Sequence, residues 1–184
     1  MRFLTYSECA AWCEQRHYPT VGSVVGPEAH QYPEGFTFAK FSLPVDSGAK
    51  VAFARFLYSQ LNPAPELLLW ISDWGVWPSS QHMPLFTRFR EAFKESRPLI
   101  KLPGHLVLPD NSEDTISILI VSLCFFWSCH VITASGRDAI FVSHDEHGWF
   151  ASREPKVVEL VQKRMSEGFP QLLGSAEKDK PIKN

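Results

Sequence analysis

A chain of 184 residues with a formal charge of -2 has room for one well-buried domain. Its charge balance lacks the basic surface that phosphate-driven nucleic-acid binding requires. With 45% apolar and 21% charged residues it reads as globular, and 14 Phe and 6 Trp call for a bulky core.

Met1 to Glu8 turns polar too quickly to form the apolar stretch of a signal peptide. Phe3-Leu4-Thr5 reads as a short lead-in, with Ser or Thr capping a helix that carries Cys9 and Cys13 on one face. Pro19 to Gly35 reads as a long loop. Phe36, Phe38 and Phe41 give an imperfect alternating strand. Asp46 or Ser47 then caps a helix that Asn62-Pro63-Ala64-Pro65 halts. Leu67 to Ile71 is continuously apolar, as expected of a central strand covered on both faces. Ser79 or Ser80 opens an amphipathic helix whose Leu85, Phe86, Phe89 and Phe93 share a face.

Pro98 to Pro109 reads as an irregular connection containing a Pro103-Gly104-His105 turn. Asn111 or Ser112 caps a helix that is apolar almost all round from Ile116 to Trp127, the expected central buried helix. The stretch Ile116 to Ala134 has the length of a membrane span, but Ser117, Ser122, Ser128, His130 and Thr133 interrupt it. A buried helix running into a strand is the better reading. His130 to Thr133 and Ala139 to Val142 flank Ser135-Gly136-Arg137-Asp138, a hairpin signal. Glu154 or Pro155 begins a last helix ending near Gly168. The pattern predicts an α+β fold, a mixed α/β sandwich. Its sheet has about four or five strands with a C-terminal antiparallel hairpin, and helices pack on it. Residues 1–174 form one domain and 175–184 a lysine-rich tail.

Three groups of residues could carry chemistry. His144, Asp145, Glu146 and His147 follow an apolar strand, and imidazoles beside carboxylates suit a metal or an acid–base pair as well as an ordinary turn. Trp74 and Trp77 flank a glycine after the central strand, as an exposed interface anchor or as packing. His105 could complete a site with the late acidic cluster or serve as a structural histidine. The chain has no Walker A sequence, no G-x-S-x-G and no G-x-G-x-x-G. The four cysteines (Cys9, Cys13, Cys124, Cys129) lack zinc-ligand spacing and read as free, buried thiols in a reducing cytoplasm.

The segments Leu69-Trp70-Ile71-Ser72-Asp73-Trp74-Gly75-Val76-Trp77-Pro78-Ser79, Pro103-Gly104-His105-Leu106 and Ser143-His144-Asp145-Glu146 together resemble a family of uncharacterised bacterial proteins. The resemblance covers roughly residues 66 to 150. It implies a bacterial, cytosolic protein and transfers no catalytic role.

The leading expectation is a non-catalytic binding module, regulatory or immunity-like, meeting a protein partner through Trp74, Trp77, His144, Asp145 and Glu146. The alternative is a metal-dependent hydrolase on His105, His144, Asp145 and Glu146. The sequence leaves the cofactor unknown, neither nucleic acid nor membrane is an expected partner, and aromatics at a sheet edge leave a homodimer open.

Overall fold

The computed structural model describes residues 1–18, 35–61, 66–74, 84–108 and 111–170. The expected loop from Pro19 lies outside them except for Gly35, as do the Asn62 to Pro65 stop, Trp77, the Ser79 or Ser80 cap and the 175–184 tail. The elements run β1 (Arg2–Leu4), α1 (Tyr6–Glu14), β2 (Thr37–Ser42), α2 (Ser47–Gln60), β3 (Leu67–Asp73) and α3 (Pro84–Ala92). They continue with β4 (Gly104–Val107), α4 (Ser112–Cys124), β5 (Ser128–Thr133), β6 (Asp138–Val142), β7 (His147–Ser152) and α5 (Pro155–Gly168).

Local chemistry explains the helix starts. Thr5 Oγ1 accepts the Glu8 backbone N–H while Glu8 Oε2 accepts that of Thr5, a reciprocal capping box. Asp46 Oδ1 accepts from the Ala49 N–H at 2.9 Å and so caps α2. Pro155 opens α5, where a missing N–H costs nothing. For α4, Asn111 stands at the cap position without a side-chain cap bond; Glu113 and Asp114 favour the positive end of the helix dipole instead.

The strands form one antiparallel sheet in the order β1-β4-β3-β5-β6-β7-β2. Among the described residues this is seven strands, not the expected four or five. The additions come from segments too short or too mixed to signal themselves. Phe3-Leu4 is the edge strand β1 rather than a lead-in, and Gly104 to Val107 is β4 rather than a turn. The residues after the acidic cluster form β7, so the expected hairpin is a three-stranded meander. The Ile116 to Ala134 stretch divides into α4 and β5 as expected, and no helix among the described residues is long and apolar enough to cross a membrane.

Burial on both faces makes β3 the centre. Leu67, Leu69 and Ile71 face the larger core under α2, α3, α4 and α5, while Leu68 and Trp70 face a smaller core under α1. Residues directly opposite on antiparallel strands share a face. Opposite Leu69, His105 therefore faces the larger core, and opposite Trp70, His130 faces the smaller one. Both imidazoles are fully buried. The cysteines are all free thiols, three of them buried, and desolvation pushes Cys13 and Cys129 up to about 12.

Candidate functional site

Four of the six singled-out residues meet at one end of the sheet. The Ser143 N–H donates to the His147 carbonyl at 2.7 Å, closing a three-residue loop of His144, Asp145 and Glu146 between β6 and β7. Such loops need a left-handed residue in third place, and Glu146 takes it at φ 62°. Ser143 Oγ accepts the Asp145 N–H and pins the turn internally. Asp145, Glu146 and His147 are exposed as a result.

Ser128, the first residue of β5, ties this turn to the sheet. Its Oγ accepts the His144 N–H at 3.2 Å and lies 2.9 Å from His144 Nδ1. With the hydroxyl proton directed at Nδ1, the ring proton sits on Nε2, which is 3.4 Å from Asp145 Oδ1. Asp73 Oδ2 approaches Nδ1 from the other side at 3.6 Å. A β-bulge at Ser72 brings Asp73 there, since the register slips between Ile71 and Asp73 and leaves Asp73 opposite Ser128. Trp74 follows, half-buried against the larger core.

Serine, imidazole and carboxylate in sequence are the parts of a nucleophilic triad. Here the serine is 5% exposed and its oxygen already receives a backbone hydrogen bond. That is the geometry of a turn fastener rather than of an attacking group.

The remaining members of this surface were not legible in the sequence. The all-round apolar helix was expected to continue to Trp127, but α4 ends at Cys124 in a Schellman closure, the Trp127 N–H donating to the Ser122 carbonyl at 2.9 Å. This closure needs a left-handed residue, normally glycine, at position 126. Phe126 occupies it at φ 55°, a strained choice for a bulky side chain. Its ring and that of Phe125 are each 41% exposed. The buried Lys50 ammonium sits 4.1 Å from the Phe126 ring centre, a cation–π contact.

Val45, 85% exposed, joins the same end because the Leu43 N–H donates to the Glu146 carbonyl. Phe125 and Phe126, just before Ser128, and Val45, just after Leu43, are thus exposed apolar residues carried to this end, where Asp46, Asp73, Asp145 and Glu146 are exposed carboxylates.

His105 does not join this surface. It stands opposite Leu69, four residues from Asp73 along β3, which is roughly 13 Å. Its ring packs edge-on against Phe3 and Phe86. Burial pushes it down to about 3, and the neighbouring Arg90 charge adds to the shift. The Leu69 and Pro103 backbone favours its protonated form, yet neither ring nitrogen has a hydrogen bond of good geometry. The four residues expected of a hydrolase centre are therefore split between core and surface. No three His, Cys, Asp or Glu side chains among the described residues gather as a metal site. Trp77 lies outside the described residues.

No family model, curated protein or solved structure matches this chain.

Proposed function

We propose that this chain is a non-catalytic protein-binding module of regulatory or immunity type, acting in the bacterial cytoplasm through the sheet end just described. The observation that carries the reading is Phe126. A phenylalanine in a left-handed helix-closing position costs roughly 1–2 kcal/mol relative to an unstrained backbone, and its half-exposed ring offsets only part of that through the contact with Lys50. Strain retained beside an exposed aromatic pair is more readily understood as service to binding than to stability. Carboxylates around an apolar centre suit a partner with basic residues around an apolar tip. The competing metal-dependent hydrolase lacks support, since His105 is buried away from the acidic turn.

The Phe126→Gly variant separates the two roles. Relief of the strain and loss of the ring contact with Lys50 offset each other, so folding stability should change by no more than about 1 kcal/mol in either direction, read by urea denaturation. Capture of a protein partner from bacterial lysate on the immobilised protein should fall by about tenfold or more. A folded variant that retains the same partner at wild-type levels would sink the proposal.

A further inference from the structure

A separate feature sits on α3 and the chain leading from it to β4. Arg90 is 3% exposed, almost fully withdrawn from water. Its Nη1 donates to the Leu102 carbonyl at 3.0 Å and its Nη2 to the Arg97 carbonyl at 3.2 Å, while Nε has no partner. The guanidinium lies 4.8 Å from the Phe3 ring centre, and among the described residues no carboxylate comes within ion-pairing distance of it. Buried charges are ordinarily paired, because an isolated one forfeits its hydration without return.

The nearby acid is already committed. Glu95 Oε1 accepts both the Arg97 N–H and its Nε at 2.8 Å, and Oε2 accepts Arg97 Nη2 at 2.6 Å. These bonds hold the Glu95 carboxyl down at about 2, whereas desolvation lowers Arg90 to about 10. A cleft of about 310 Å³ opens here, lined by Arg90, Arg97, Glu95, Phe86 and the hydroxyl residues Thr87 and Ser96. Its size is at the small end for ligand sites.

We propose that this cleft binds a small oxyanion, the carboxylate or phosphate group of a small molecule, which supplies the missing counter-charge of Arg90. The Arg97 side chain holds Glu95 aside, so that the protein's own carboxylate does not occupy the place of the ligand. Guanidinium groups favour such anions through paired N–H donors, and the Thr87 and Ser96 hydroxyls add donors that accept any orientation of a third oxygen.

Thermal unfolding of the full chain, titrated with inorganic phosphate and in a parallel series with malonate, tests this against sodium chloride at matched ionic strength. A saturable rise in melting temperature with phosphate or malonate, absent with chloride, is the expected result; the effective anion identifies which oxyanion the site prefers. Arg90→Met should abolish the rise. Because that variant also removes the hydrogen bonds to the Leu102 and Arg97 carbonyls and so tests folding as well as binding, two others read the same site. Glu95→Gln removes the competing carboxylate and should tighten binding by about threefold. Arg97→Gln frees Glu95 to pair with Arg90 and should weaken binding by about tenfold. Wild-type protein with no saturable response to either anion overturns the proposal, as does a response that all three variants leave unchanged.

Discussion

Between pH 6 and pH 4 the protein is expected to lose about 5 kcal/mol of folding stability to two histidines alone. His105 and His130 are fully buried, and desolvation is the leading cause that lowers each to about 3. Unfolded, each takes a proton near pH 6.5. Between those values the unfolded chain binds two more protons than the folded one, so stability rises with pH through this window and levels off above it. Each histidine contributes a slope of about 1.4 kcal/mol per pH unit well inside the window. Glu95, held at about 2, is also protonated more readily on unfolding and acts in the same direction at lower pH.

His130→Leu isolates one contribution. Neither ring nitrogen of His130 has a hydrogen-bond partner, so leucine forfeits no bond there. Denaturant unfolding at pH 5.5, 5.0 and 4.5 should show the slope reduced by about 1.4 kcal/mol per pH unit. A variant with the wild-type slope would mean that His130 titrates in the folded state as it does in water.

The Gly148→Ala variant is expected to lose about 3 kcal/mol or more, without any change of charge or polarity. Gly148, the second residue of β7 after the β6–β7 turn, pairs with Val142 on one side and Phe41 on the other. A β-carbon there would run into the Phe141 carbonyl oxygen and stand 2.6 Å from Cε2 of the Phe41 ring. The ring could swing aside, but the carbonyl belongs to the β6 backbone and moves only if the ladder opens. Loss of the turn geometry should accompany loss of stability. Urea unfolding that places Gly148→Ala within 1 kcal/mol of wild type would show that the ladder yields more easily than a closely packed sheet allows.

Much of the helical framework was legible because each start carries a local signal: Thr5 with Glu8, Asp46, and Pro155. The centrality of β3 was legible from its unbroken apolar run. The strand count was not. Gly104 to Val107 follows a Pro-Gly turn signal, and its histidine faces inward through pairing with Leu69, a long-range contact that no local pattern carries. The site divided in the same way. His144, Asp145 and Glu146 announced themselves as titratable groups at a strand end and do form an exposed turn. Phe125 and Phe126 were hidden in an apolar run because a Schellman closure without glycine leaves no mark in the sequence. His105 looked similar to the acidic turn by residue type, but the sheet register separates them.

Selection of random peptides on the immobilised protein tests the binding surface most directly. The expected outcome is enrichment of sequences joining Lys or Arg to a large apolar residue. Their binding should weaken with added salt, as charge steering requires, and fall by about tenfold or more on Phe126→Gly. Failure to enrich any sequence, or enriched peptides that bind Phe126→Gly and wild type alike, would contradict the assignment of this sheet end as the protein's interaction surface.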